Sequence, residues 1–126
     1  MSSTADIAEC EARLRAMMDD QKDITGAVIA TEDGHVLAAH SRNEMGSERV
    51  AAMSSSLVGL GATMAGTTEQ GDNEYVIVQN TGGYVATLRL GTRHLLTVAA
   101  KTGINLGMLL SLARHAAEEL AGHVEG

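Results

Sequence analysis

The sequence predicts a small α/β domain of the α+β kind, with element order α-β-β-α-β-β-β-α and an antiparallel five-stranded sheet. Three observations carry this. Apolar residues recur at helical spacing in three segments, and five short runs between them read as strands. Asp33-Gly34 is a two-residue hairpin signal between the first two runs. Short turns at Asn80 to Gly83 and Gly91 to Arg93 join the last three runs into a meander. Residues 1–126 make one domain, long enough to bury roughly two-thirds of its unfolded surface.

The first helix is predicted from Ile7, Cys10, Leu14, Met17 and Met18, which form one apolar stripe. Ser3 and Asp6 outline a capping box at its start. On its other side Glu9 with Arg13 and Glu11 with Arg15 sit four apart in the favourable order. Gly26 to Thr31 (GAVIAT) is apolar on both faces, like a central strand, and His35 to His40 follows as its hairpin partner. Glu74 to Gln79, Tyr84 to Leu90 and His94 to Ala100 are the meander. Asn105 offers a cap for a last helix with Leu106, Leu109, Leu110, Ala113, Ala117 and Leu120 on one face.

Between these parts lies the segment around which the chain is organised, Ser47 to Gly71, which reads as one long helix capped by Ser47. Val50, Met53, Leu57, Leu60 and Met64 form an apolar stripe expected to pack on the sheet. A second face carries Ala51, Ser55, Val58, Gly59, Ala62, Thr63 and Gly66, nearly all small, and is expected to meet a partner at close range. No charge occurs between Arg49 and Glu69, so neither face suits bulk water. Gly59, Gly61 and Gly66 each cost about 1 kcal/mol against alanine inside a helix, which close packing would offset.

Composition narrows the function classes. Aromatic residues are 2% of the chain, with no Phe or Trp, so a planar cofactor would lack the aromatic walls its pocket usually has. The net charge of −7 disfavours nucleic acid and anionic membranes as partners. No run of 18 apolar residues occurs, and Met1 to Asp6 has neither the basic nor the apolar part of a leader. The lone Cys10 has no internal disulfide partner. A cytoplasmic protein without membrane insertion is expected.

Candidate catalytic groups are few. GLGATM at Gly59 lacks the third glycine and the preceding strand of a dinucleotide fingerprint. There is no GxxxxGK[ST] loop to hold a nucleotide. His35, His40, His94, His115 and His123 show no metal-ligand spacing, and His115 with Glu119 reads as an exposed helix pair. Ser54 to Ser56 lie within a helix, with no turn to expose a nucleophile, and Cys10 lies on an apolar stripe. Neither a metal, a cofactor nor an enzymatic activity is expected.

Taken in order, Ile24 to Leu37 (ITGAVIATEDGHVL), the small-residue helix Glu48 to Gly66, Gly83 to Leu90 (GYVATLRL) and Gly103 to Leu110 (GINLGMLL) resemble the Roadblock/LC7 family, over about Asp6 to Ala121. They are most similar to its bacterial members found with small Ras-like GTPases. The resemblance implies a profilin-like three-layer α-β-α sandwich with strand order 2-1-5-4-3, the long helix on one face and the terminal helices on the other. It also implies a homodimer in which the long helices pack together and the third strands pair edge to edge. The residues agree: the third strand has no Lys or Pro to blunt a free edge, which places Tyr75 and Ile77 in the dimer interface beside the small helix face.

The implied activity is that of a regulator binding a small Ras-like GTPase through a surface around Arg49, Ser56 and Thr63. Arg42, Arg49, Arg89 and Arg93 are the candidates for an arginine finger. A pure adaptor without effect on hydrolysis is the alternative. A small-molecule sensor fits less well, because Thr87, Thr97 and Arg89 are the few interior polar groups on the strands.

Overall fold

The structure, a computed structural model, describes residues 4–124, with the side chains of residues 4 and 5 left aside. The expected cap at Ser3 lies outside that range. The elements are α1 (Thr4–Asp20), β1 (Ile24–Thr31), β2 (Val36–Ser41), α2 (Ser47–Thr67), β3 (Tyr75–Asn80), β4 (Gly83–Leu90), β5 (His94–Lys101) and α3 (Leu106–Val124). The strands form one antiparallel sheet in the order β2-β1-β5-β4-β3. The order of elements and of strands is the expected one.

Two layers of unequal weight flank the sheet. On one face α1 and α3 pack side by side, and the large buried residues Leu14, Met18, Ile24, Ile29, Leu90, Leu96, Leu109 and Leu120 gather between them and the strands. Asn105 caps α3 by accepting the Met108 N–H on Oδ1 at 3.1 Å. Arg13 reaches across to Glu119 of α3 and not back along its own helix to Glu9, so it ties the two terminal helices together. On the other face the buried apolar cluster is small: Val28, Ala30 and Ala51, with Val36, Ala39, Met45 and Val50 packed around it.

The β1–β2 hairpin turns through three residues, Glu32 to Gly34, where the sequence suggested two. Thr31 N–H donates to His35 O at 2.8 Å, and Gly34 takes φ 95°, which only glycine adopts without strain. The Thr31 hydroxyl donates to Asp33 Oδ1 at 2.5 Å and holds that carboxyl below its ordinary pKa.

Helix α2 differs from expectation at both ends. Its N-cap is Gly46 in the left-handed conformation, with no side-chain cap, and Ser47 is already helical. The helix stops at Thr67, four residues before Gly71. The chain is turned there by Glu69, at φ 57°: Glu69 N–H donates to Gly66 O and Gln70 N–H to Ala65 O, the pattern of a Schellman ending. A side chain at that position is strained. Glu69→Gly is therefore expected to raise unfolding stability by about 1 kcal/mol, measured by urea denaturation. An unchanged or lower midpoint would count against the strain.

Candidate interaction surface

Small residues bring α2 close to the sheet. Its buried residues are Ala51, Ser54, Val58 and Ala65. A Cβ on Gly61 would come within 3.0 Å of Val76 Cγ2 and 2.9 Å of Asn73 Nδ2, so a larger residue there would have to displace the Asn73 amide and crowd Val76 of β3. One buried chain of hydroxyls fixes the position. Ser54 Oγ donates to Val50 O at 2.7 Å and lies 2.6 Å from Thr97 Oγ1, which lies 2.9 Å from Thr87 Oγ1. With the Ser54 proton committed, Thr97 donates to Ser54 and Thr87 to Thr97, so all three donors are satisfied in one direction. Ser55, half-buried, adds a bond to Glu32 O at 2.6 Å and ties the helix to the hairpin loop.

This seating reverses the expected roles of the two faces. Met53, Leu60 and Met64, expected on the sheet, are 55, 60 and 60% exposed, and Leu57 is half-buried beside them. Ala51 and Val58, expected at a partner interface, are instead buried beneath α2, and Ser55 is spent on Glu32. The physical reason is distance: a helix bonded to sheet hydroxyls through Ser54 leaves no room below it for a Met or Leu layer. Gly59, Ala62, Thr63 and Gly66 are exposed as expected. The outer face of α2 thus mixes large apolar and very small residues, and an open groove runs along Ala52, Met53, Ser56, Leu57 and Leu60.

The edge strand beside this face is β3. Its pairing with β4 runs without a bulge from Tyr75–Leu88 to Asn80–Gly83, and it ends the sheet. Tyr75 and Ile77 are half-buried and turn toward the α1–α3 side, where Arg114 sits 5.2 Å from the Tyr75 ring centre and 3.3 Å from Glu74 Oε1. What the strand offers a partner is its backbone edge.

The other singled-out residues fall as follows. Arg49, Ser56 and Thr63 are exposed on α2, but both hydroxyls donate to their own helix, Ser56 to Ala52 O at 3.4 Å and Thr63 to Gly59 O at 3.1 Å. Arg42 is not available as a finger: its guanidinium donates to Ile24 O at 2.9 Å, to Gln21 O at 3.2 Å and to Met18 O, closing the C-terminal end of α1. Arg89 and Arg93 are exposed. His115 Nε2 lies 3.5 Å from Glu119 as an exposed helix pair. Cys10 is fully buried, and burial, with Asp6, Glu9 and Glu11 nearby, raises its pKa, which keeps the thiol protonated. Among the described residues no three His, Cys, Asp or Glu side chains are grouped to hold a metal ion.

Residues 13–100 match the model of the Roadblock/LC7 domain. The chain belongs to the Roadblock/LC7 family. Among solved structures it is similar to MglB in a tetrameric arrangement, with 17% identity and TM-score 0.89 over 98% of this chain and 93% of that one. The gliding protein MglB from Thermus thermophilus is similar at 16% identity and TM-score 0.87, again over 98% and 93%. Profilin II of Acanthamoeba castellanii matches at 17% identity and TM-score 0.62, over 89% and 96%. At these identities the likeness is one of fold, and it is the profilin-like fold that the family resemblance implied. Comparison with curated protein sequences finds no match.

Within this Roadblock/LC7 domain, α2 is also the one helix among the described residues long and apolar enough, by composition, to cross a bilayer. Withdrawing it from the sheet would leave Thr97 without its acceptor. Its apolar character is divided between a sheet-facing side and an outer side. The hydroxyl chain is testable on its own. Ser54→Ala removes the acceptor of one buried hydroxyl, that of Thr97, and is expected to cost about 1 to 3 kcal/mol in denaturant unfolding; a neutral substitution would mean that the row of hydroxyls does not hold α2 in place.

Proposed function

We propose that this chain is a non-catalytic homodimeric regulator that binds a small Ras-like GTPase and modulates its nucleotide cycle, with the outer face of α2 as its interface to a second copy. The supporting observation is the arrangement of the exposed large residues. Met53 and Met64, and likewise Leu57 and Leu60, lie equally far from a point midway between Val58 and Gly59. A two-fold axis crossing the helix at that height sets Met53 against the partner's Met64 and Leu57 against the partner's Leu60. Such a stripe matches itself when turned around, as an isologous contact requires.

The glycines support the same reading. Gly61 has its reason inside the protomer, but a Cβ on Gly59 or Gly66 would meet nothing within 4 Å. Their cost of about 1 kcal/mol each is not offset within one protomer, whereas a second helix crossing there would use the space. Pairing of β3 with its symmetry mate would also remove an unblunted sheet edge. Self-association on this scale buries on the order of 2,000 Å².

Family membership supports the reading of a GTPase partner, and since this sequence has no P-loop of its own, the hydrolysis regulated would be the partner's. Arg49, Ser56 and Thr63 on α2 are the proposed contact residues. One observation favours the second reading, a pure adaptor: Arg42 is consumed by backbone carbonyls, and the Ser56 and Thr63 hydroxyls are turned to their own helix. A regulator built this way would act by repositioning the GTPase's own water-orienting groups and not by inserting an arginine.

Mixing the chain with a Ras-like GTPase and measuring phosphate release separates the two. Acceleration at saturating chain supports the regulator, and binding with an unchanged rate leaves the adaptor. The interface has a separate test in Gly59→Leu. In a lone protomer the open space makes the substitution neutral or stabilising, since leucine is the better helix former. Across a helix crossing it overpacks by about 1 to 3 kcal/mol and shifts the mass by light scattering from twice 13.1 kDa toward a single chain. A fully dimeric Gly59→Leu protein would move the interface elsewhere.

A further inference from the structure

Three methionines among the described residues are more than half exposed: Met53 at 55%, Met64 at 60% and Met108 at 51%. Met17 and Met18 are buried in the core, and Met45 is half-buried against Gly26. Two of the three exposed thioethers thus stand on one face of α2, eleven residues and about 16 Å apart, at the two ends of the Leu57–Leu60 patch. The third stands on α3, on the other side of the sheet. Thioether sulfur at such positions is open to peroxide, and its product is polar.

We propose that Met53 and Met64 are a modification site through which peroxide controls association of the α2 face. This rests on the reading of that face as the contact between two copies. Hydrogen peroxide transfers one oxygen to each sulfur: the O–O bond breaks, an S–O bond forms, sulfur gives up two electrons, and the remaining oxygen leaves as water. The two-fold arrangement sets each Met53 sulfoxide against the partner's Met64 sulfoxide, two acceptors facing each other with no donor between them. The Ser56 hydroxyl, one turn from Met53, already donates to its own helix, so the S=O dipole at Met53 loses water and gains no donor from its own copy. Four sulfoxides per dimer should weaken association at least about a hundred-fold. Within the dimer the same sulfurs are covered, so oxidation acts on the dissociated copy and traps it.

The full chain is treated with hydrogen peroxide at protein concentrations below and above its association midpoint. Sulfoxide is located by peptide mass spectrometry, and mass is measured by sedimentation. Above the midpoint oxidation of Met53 and Met64 should slow relative to below it, while the rate at Met108, whose sulfur accepts from Gln21 Nε2 at 3.5 Å on the other side of the sheet, should not change. The oxidised chain should sediment as a single copy, folded by circular dichroism, and treatment with both stereospecific methionine sulfoxide reductases should restore association. M108L should respond to peroxide as the wild type does. M53L/M64L, whatever its starting affinity, should show the same association before and after peroxide. The proposal is overturned if chain carrying sulfoxide at both positions still associates, or if M53L/M64L loses association on oxidation. A chain that is a single copy at every concentration before any peroxide is added would overturn the α2 contact itself, and the oxidation site with it.

Discussion

How closely α2 lies on the sheet governs the rest of this structure. Ser54, Thr97 and Thr87 form a row of hydroxyls under the helix, each within about hydrogen-bond length of the next, and a row of that kind tolerates no spacer. The residues flanking Ser54 on the same side must then be small, and they are Ala51, Val58, Gly61 and Ala65. Once that face is committed to small residues, the large apolar side chains of the helix have only the outer face left. The exposed Met53, Leu60 and Met64 are a consequence of the buried serine.

The two sides of the sheet are unequal for the same reason. Leu, Ile and Met residues fill the space under α1 and α3, where the helices stand off at ordinary side-chain distance. Under α2 the cluster is Val28, Ala30 and Ala51, which contributes little apolar burial at roughly 25 cal/mol per Å². Val76, Val78, Val85 and Ala99 remain half-exposed. A protomer with one full core and one thin one has most to gain from cover on the thin side.

The fold was largely legible in the sequence because period and turn chemistry are local. Strand runs, the Asn105 cap and the stripes of α1 and α3 all fell where the residues pointed. The side-chain partners that were missed have a common origin in long-range contacts. Arg13 found Glu119 across 106 residues, Arg42 found the end of α1, and Ser54 found Thr97, none of which spacing along the chain reveals. The faces of α2 were exchanged because two adjacent stripes share the same helical period, and size alone was used to choose between them. Large-inward is a sound rule only when a helix has one buried side. The buried threonines on β4 and β5 were the available signal: polar residues at interior strand positions need partners, and a serine-bearing helix face supplies them.

A face of this composition also ties function to stability. Two uncompensated glycines and a row of exposed methionine and leucine make α2 costly in a lone copy, so whatever covers it stabilises the fold by mass action as well as by contact. Under the proposed self-association, folded population, association and presentation of Arg49, Ser56 and Thr63 would be linked equilibria. A partner that recognises the covered form raises the chain's stability, and one that competes for the outer face of α2 lowers the fraction associated. The sheet-facing side is already fixed by hydroxyl bonds within one copy, so covering the outer face requires no movement of the helix. On that proposal, regulation would lie in the occupancy of its outer face and not in a rearrangement of the domain.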